Sequence, residues 1–462
     1  MSITKPQTSG VMHGSTPLDV HLDSVDSKLD TILMFDVTTY GFIVGDDESL
    51  APANTQAVLD AVEDAHQSGG CVIMPSGISY VNSIVLQHPV TIIGSHPSSG
   101  ASLVMRRQAS DIIHLGGGHC FDLPPKMRPD VPSSPNDVVD GFRLSNLNIR
   151  GTVNGLGGVR VNTQESIATV GYERRNLYMQ NVNISGYYSG WGFELYNTYT
   201  NHLQCVTVWD CAATYYIRSA HSTDHISCVY ENCAWGCLAI NTECNNHIGG
   251  AIEGIRYLTK MNKPVNYDEN GNFPVDTGYG QLYAGIGMRS RGGSTNLYGV
   301  YIEANKIDAH IEDSSKLTLR DCYVNAVAGR TDYHIIGTSG RLVETGNRFD
   351  GTPARERWHP NSATLRCSHA IIKENHFLPT AGRPTSTPTI SNIGEFDVYP
   401  GTPDVNAVTR IMKNQNYLTS GSTTSQTLSV GGDVVLGGLT TTIPTVTGKL
   451  YIDSSGFVKW KQ

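Results

Sequence analysis

A repeat of 22 to 24 residues, built from short apolar segments, constrains the fold of this chain more than any other feature (179 to 203 is 24, 203 to 226 is 23, 297 to 319 is 22). In its clearest copies, the second and third apolar residues follow the first by three and five positions. These copies are Met179/Val182/Ile184, Leu203/Val206/Val208, Leu297/Val300/Ile302 and Leu319/Cys322/Val324. We place the starts of weaker copies at Ile226, Ile248, Leu342 and Ile372. Such a short period is typical of a parallel β-helix, in which every turn of the coil adds strands to parallel sheets.

Length and composition agree with a solenoid of this kind. The 462 residues exceed the ~250–300 over which one compact core usually grows, whereas each repeat of a solenoid packs only against its neighbours. Charged residues make up 16% of the chain and glycine is frequent, at 48 residues. This composition favours many short strands and turns over a disordered chain or a coiled coil. The net charge of −9 argues against nucleic acid or an anionic membrane as a partner.

The sequence shows no membrane, secretion or metal signal. It contains no run of 18 apolar residues that could span a membrane, and MSITKPQTSGVMHG lacks the apolar core of a secretory signal. The ten cysteines form no C-x-x-C pair, so we expect reduced thiols rather than disulfides or metal ligands. We expect no cofactor.

A different pattern precedes the repeats. FDVTTYG, from Phe35, is followed by a predicted helix over roughly Pro52–Gln67, which Gly69 and Gly70 end. Strands are predicted at Cys71–Met74, Ser79–Leu86 and Val90–Gly94, and a short helix near Leu22–Leu33. Each repeat also has a predicted strand on a second sheet. These strands are Phe193–Tyr196, Tyr215–Arg218, Leu238–Asn241, Ile286–Arg289, His310–Glu312 and His334–Ile336.

The segment FDVTTYG…NTQAVLDAVEDA…GGCVIMPSGISY resembles the N-terminal part of the pectate-lyase-like superfamily of right-handed parallel β-helices. In that superfamily a strand and a capping helix close the end of the coil, and phage tailspike depolymerases share this segment. The last residues, GKLYIDSSGFVKWKQ, resemble the short C-terminal strands of phage tail-fibre and tailspike proteins.

The resemblance implies an all-β fold, a right-handed parallel β-helix with a capping α-helix and a small C-terminal β region. We expect an attachment segment over 1–34, the coil over 35–390 and a trimerisation region over 391–462. The resemblance further implies a homotrimer in the virion, attached through its N-terminus to the phage tail or to another tail protein. Such a protein is assembled in the bacterial cytoplasm and acts outside the host cell on a surface polysaccharide, a capsule or an O-antigen.

Three glutamates are the first candidates for catalysis. The third position of the repeat is aliphatic in the clear copies, but Glu231 and Glu253 occupy it in two weaker copies, and Glu303 follows it by one residue on the next turn. Because an unpaired buried carboxylate is costly, either these strands shift register and expose the glutamates or the carboxyls are partly buried with perturbed pKa values. Coils lie ~4.8 Å apart, so Glu231 and Glu253 match a retaining glycosidase, whereas Glu231 and Glu303 approach the inverting separation. A solvated row of carboxylates is the alternative.

Further residues are candidates for binding substrate. Trp209, Tyr230 and Tyr301 are predicted to face outward, either against sugar rings or as ordinary strand tyrosines. Arg218 and Arg289, in a predicted outward column, could hold an acidic polysaccharide or form an ion-pair ladder at a subunit interface. That column is Tyr196, Arg218, Asn241, Arg289 and Glu312.

Two histidines complete the candidate site. His225 and His247 recur with His202 just before strand starts, and the alternative is a ladder of turn residues. A polar insertion over roughly 255–285 leaves the coil immediately after Glu253, where it could form a wall of the site or a trimer contact.

Glycoside hydrolysis of a surface polysaccharide by a pair of carboxyls is therefore the leading functional hypothesis. Two alternatives remain open at this point. One is a lyase that cleaves a uronic-acid polymer by β-elimination, with an arginine and a His or Tyr base. The other is an adhesin that binds in the same groove without cleaving.

Overall fold

The structure, a computed structural model, describes a set of residues broken by several gaps. They are 33–95, 109–124, 141–163, 176–256, 258, 260–262, 264, 285–312, 315–327, 330–331, 333–337 and 340–351, together with the outlying strands given below. The predicted helix near Leu22–Leu33 and most of the insertion lie outside this set.

The chain winds into a right-handed parallel β-helix whose turns have three faces. We call these faces sheet A, sheet B and sheet C, in the order in which each turn visits them. Long strands such as Trp235–Ile248 bend from sheet C into sheet A, so the faces form one hydrogen-bonded surface around the coil. The predicted fold class is confirmed.

Sheet A contains thirteen parallel segments in coil order. They are Met34–Asp36, Cys71–Met74, Thr91–Gly94, the first parts of Arg143–Arg150 and Leu177–Ser185, Thr200–Gln204, Ser222–Ile226, the last parts of Trp235–Ile248 and Ile286–Tyr298, Lys316–Arg320, Gly340–Thr345, Cys367–Lys373 and Ile393–Val398.

Sheets B and C follow the same rise along the coil. Sheet B contains Gly77–Val81, Ser110–His114, the last parts of Arg143–Arg150 and Leu177–Ser185, Thr207–Trp209, Val229–Glu231, Ala251–Glu253, Tyr301–Glu303, Tyr323–Ala326, Arg348–Gly351 and His376–Phe377. Sheet C contains Ile84–Val85, His119–Leu123, Gly157–Val161, Trp191–Tyr196, Ala213–Arg218, the first parts of Trp235–Ile248 and Ile286–Tyr298, Ile307–Glu312, Tyr333–Gly337 and Glu356–Trp358. The predicted strand Ser79–Leu86 is therefore two strands on different faces.

The helix Ala51–Ser68 covers the N-terminal end of the coil. It begins with a proline in its first turn, and Gly69 ends it in the left-handed conformation with φ 75°, as glycine does most easily. Ala57, Val58 and Ala61 on its buried face join the apolar core inside the coil. The predicted helix is thus confirmed to within one residue at each end.

The remaining described elements are short. Two 3₁₀ turns span Val37–Tyr40 and Glu48–Leu50. Antiparallel pairs are formed by Met12–His13 with Thr16–Pro17, by Ile393–Val398 with Thr409–Met412 and by Leu450–Ile452 with Val458–Trp460. No helix among the described residues is both long and apolar enough to cross a membrane.

Left-handed residues make the corner between sheets A and B. Asn181, Cys205, Ser227 and Asp321 have φ values of 51–54° at this corner on different turns. Asn and Asp tolerate this conformation better than most residues. The exposed Cys205 is therefore a corner residue, and our expectation that it lies in the interior was wrong.

The apolar trios line the inside of the coil as predicted, but the weaker copies were placed one residue too late. Strand pairing aligns Leu203 with His225 and His247, not with the residues that follow them. It likewise aligns Val208 with Tyr230 and Ile252. The misplacement arose because Ile226 and Ile248 are apolar, although both are exposed on the outside of sheet A.

Candidate active site

Three glutamates form a ladder on the outward face of sheet B. The register places Glu231, Glu253 and Glu303 directly opposite one another on three successive turns. Trp209 precedes them on one side and Asn325 follows on the other. We call the side chains of Trp209, Glu231, Glu253, Glu303 and Asn325 the carboxylate ladder.

The glutamates face outward because side chains alternate along a strand. Tyr230, Ile252 and Ile302 precede them and point into the coil, where each is at most 1% exposed. The expectation that Glu231 and Glu253 replace inward aliphatic residues was therefore wrong, and the other reading, a shifted register with outward glutamates, describes the structure. All three carboxyl groups are half-buried.

Glu253, the middle residue, differs electrostatically from an ordinary glutamate. Partial burial, a hydrogen bond with Glu231 and the charges of Glu231 and Glu303 raise its pKa from 4.5 to about 7. Each cause acts in the expected direction, since burial and nearby negative charge both disfavour the ionised form. Near neutral pH, Glu253 can hold a proton beside two other carboxyls.

Glu303 is held by two donors. The Tyr301 hydroxyl donates to Oε2 at 2.5 Å, and Asn325 Nδ2 donates to Oε1 at 2.7 Å. Tyr301 in turn stacks on Tyr323 of the next turn, with ring centroids 5.4 Å apart and planes 5° apart. These contacts fix the carboxylate of Glu303 and leave it as a hydrogen-bond acceptor.

The start of the insertion is fastened beside the tryptophan end of the ladder. Lys260 forms an ion pair with Asp210, the residue after Trp209, and lies 4.9 Å from the centre of the Tyr188 ring. Tyr188 also donates a hydrogen bond to Asp210 at 3.0 Å. The described part of the insertion therefore borders the outward face of sheet B.

The sequence placed five other candidates in the site, and the structure places four of them elsewhere. Tyr230, His225 and His247 are buried inside the coil, so they cannot contact a substrate on its surface. Arg289 is 1% exposed on sheet C, where it forms a bidentate ion pair with Glu312. Tyr301 alone of the five joins the ladder.

Arg218 also lies on sheet C rather than beside the glutamates. The predicted outward column was misaligned as well, because the register pairs Arg218 with Ile240, and Arg291 with Glu312. Arg289 instead pairs with His310. The two arginines thus do not share a column.

Sequence reasoning missed Asn325 and Tyr323, although a signal for both was present. In the clear trios, the residues just before and just after the third apolar position face outward. Applied to Leu319/Cys322/Val324, this rule selects Tyr323 and Asn325. The described residues contain no group of three or more His, Cys, Asp or Glu side chains arranged to hold a metal ion.

Comparisons with known proteins find likeness only among solved structures. No protein-family model matches the chain, and no curated protein matches it. The chain is similar to ORF18 of Geobacillus virus E2, with 12% identity, a TM-score of 0.31 and coverage of 98% of this chain and 90% of that one.

Two further structures show the range of proteins that share this architecture. One is the tailspike gp49 of Acinetobacter baumannii bacteriophage Fri1, a capsular polysaccharide depolymerase, at 13% identity and a TM-score of 0.36 over 83% of this chain and 70% of that one. The other is PfbA, a surface adhesin of Streptococcus pneumoniae, at 11% identity and a TM-score of 0.36 over 87% and 100%. Function must therefore be inferred from the chemistry of the site.

Proposed function

We propose that this chain is a phage tailspike that binds and depolymerises a bacterial surface polysaccharide by glycoside hydrolysis on the outward face of sheet B. The observation that carries the proposal is the carboxylate ladder, in which one glutamate has a pKa of about 7 between two others. Glycosidases use two carboxyl groups, one protonated and one ionised.

The contacts of each glutamate assign its role. Glu253 is the general acid that protonates the glycosidic oxygen as the bond to the anomeric carbon breaks. Glu303, which accepts hydrogen bonds from Tyr301 and Asn325, is the ionised partner. Glu231 keeps Glu253 protonated through their hydrogen bond.

The spacing of the coil predicts the stereochemical outcome. Glu253 and Glu303 lie on adjacent turns, and adjacent strands are ~4.8 Å apart, which matches the ~5 Å of retaining enzymes. In this mechanism Glu303 attacks the anomeric carbon, and Glu253 then removes a proton from the water that hydrolyses the glycosyl-enzyme. Trp209 and Tyr301, both half-buried, would contact the sugar rings.

The surroundings of the ladder favour hydrolysis over β-elimination. A lyase needs a cation to neutralise the uronate carboxylate. The outward positions neighbouring the ladder are Thr207, Val229, Ala251, Tyr301 and Tyr323, none of which is cationic. The arginines that could have served a lyase lie on sheet C, and Arg289 is already paired with Glu312.

The test compares glutamine variants on a panel of purified capsular and O-antigen polysaccharides. Glu253→Gln and Glu303→Gln should each lower the rate of reducing-end release by at least ~10²-fold, the scale of general acid–base catalysis, while the polymer still binds. Glu243→Gln is the matched control, because Glu243 lies on the same turns but is exposed and pairs only with His221 among its printed contacts. Binding without cleavage by the wild-type protein would show an adhesin instead.

The assembly and location implied by the sequence complete the proposal. We infer a homotrimer attached to the phage tail, or to another tail protein, through its N-terminus. It would be assembled in the bacterial cytoplasm and act from the virion at the outside of the host cell. The proposal includes neither a nucleic-acid partner nor membrane insertion.

A further inference from the structure

The inside of the coil becomes polar on the same turns that carry the carboxylate ladder. Along sheet B, the inward position is Ile184, Val208, Ile252, Ile302 or Val324, with Tyr230 as the one polar exception between them. Along sheet A, the inward position is leucine on the turns of Leu203 and Leu297, but His225 and His247 lie between them.

These residues form a continuous hydrogen-bonded network with Asn245 and Tyr215. Tyr230 Oη lies 2.5 Å from His225 Nδ1, and His225 Nε2 lies 2.9 Å from Asn245 Oδ1. Asn245 Nδ2 donates to Tyr215 Oη at 3.1 Å, and Tyr215 Oη lies 2.8 Å from His247 Nε2. We call these five side chains the lumen network; none is more than 2% exposed.

The amide of Asn245 fixes the direction of every hydrogen bond. Because its nitrogen donates to Tyr215, its oxygen accepts from His225 Nε2–H. His225 Nδ1 is then unprotonated and accepts from the Tyr230 hydroxyl. The network is complete only with both imidazoles neutral, and their rings stack 4.1 Å apart with planes 4° apart.

We infer that Tyr230 is a positioning residue for the carboxylate ladder, held from inside the coil by His225. Tyr230 directly precedes Glu231, and its backbone pairs with Val208 and Ile252. Fixing its side chain fixes the strand Val229–Glu231 against Ala251–Glu253, so that the carboxyls of Glu231 and Glu253 meet. The inference rests on the proposed function, in which this contact keeps Glu253 protonated.

A stability role alone does not require such a network. Replacing buried polar groups with well-packed apolar ones is often neutral or stabilising, and the neighbouring turns already use leucine, valine and isoleucine at the equivalent positions. Directional hydrogen bonds restrict a side chain more closely than apolar packing does. The network therefore supplies alignment at the place where two carboxyls must share a proton.

The experiment uses Tyr230→Phe, which removes one oxygen atom from the lumen. We expect kcat to fall about tenfold, in line with the effect of small misplacements of catalytic groups, with KM within about twofold of the wild-type value. We also expect the alkaline limb of the pH–rate profile to move to lower pH, because Glu253 loses its aligned neighbour. His225→Leu, which copies Leu203, should act in the same direction.

The double variant Tyr230→Phe/His225→Leu should be no slower than the slower single variant, because both changes remove the same hydrogen bond. Leu203→Ala is the control for general weakening of the lumen. It should lower the melting temperature while leaving kcat and the pH profile unchanged.

The outcomes separate this inference from the proposed function. If Glu253→Gln cleaves at the wild-type rate, the proposed function is wrong and the inference falls with it. If Glu253→Gln is inactive while folded Tyr230→Phe and His225→Leu keep the wild-type kcat and pH profile, only the positioning role is wrong.

Discussion

At the residue scale, Glu253 makes the stability of the protein depend on pH. Its pKa is raised from 4.5 to about 7, so the folded state binds this proton more tightly than the unfolded state does. The stabilisation is complete below pH 4.5 and is lost as pH rises through about 7. We expect Glu253→Gln to have a higher melting temperature than the wild type at pH 8 and little difference at pH 5. Equal shifts at both pH values would contradict the raised pKa.

The cysteines give a second prediction at this scale. Burial raises the pKa of Cys211, Cys228 and Cys237 to about 12 and that of Cys233 further, whereas Cys205 is exposed. Because the thiolate is the reactive form, a thiol reagent should modify Cys205 first in the native protein and these four very slowly. Unfolding should release all ten thiols. Fewer than ten after denaturation without reductant would indicate disulfides.

At the element scale, the corner after each strand of sheet B can be tested through Ala304. This residue has φ 55°, although an L-residue with a Cβ pays ~1–2 kcal/mol in the left-handed region. We expect Ala304→Gly to raise the free energy of unfolding by about 1 kcal/mol, less the added chain entropy of glycine in the unfolded state. The measurement is chemical denaturation, with Ala309→Gly, at a buried strand position, as a control that should destabilise.

Elements were predictable where the interior is aliphatic and misplaced where it is not. The trio Leu203/Val206/Val208 fixes its strands from sequence alone, because three apolar side chains can only share the inside. On the next turn the inward residues are His225, Cys228 and Tyr230, which read as polar, so the exposed Ile226 was taken as the start. A buried polar network thus hid the register at the candidate site.

The same effect explains how the site itself was found. Glu231, Glu253 and Glu303 were selected as irregularities in an inward column, yet they face outward in a regular one. Their outward direction could have been read from Trp209 and Glu303, which follow clear trios. The pKa of Glu253 could not, since it depends on the distances between side chains on three turns.

At the scale of the whole molecule, the repeat period determined the coil, but sequence gave no means to divide the surface into three faces. The second sheet predicted from sequence is sheet C, and sheets A and B were merged into one strand pattern. The corner between them is a single left-handed residue such as Asn181, and a polar residue of this kind is also common in an ordinary strand-to-turn transition.

The proposed assembly makes a prediction at this scale. A homotrimer should sediment at about three times the chain mass of 50.1 kDa, and its circular dichroism should be dominated by strands. Sedimentation of the intact chain at micromolar concentration as a single 50.1 kDa species would rule out the trimer.

The central claim is that the carboxylate ladder hydrolyses a glycosidic bond, and its most direct test is mass spectrometry of the products formed in ¹⁸O-labelled water. A cleaved polysaccharide from the panel should give fragments with one ¹⁸O atom at the new reducing end, and Glu253→Gln should give almost none. Proton NMR should show that the anomeric configuration is retained at early times. Fragments ending in an unsaturated uronic acid, without ¹⁸O, would contradict hydrolysis and establish β-elimination.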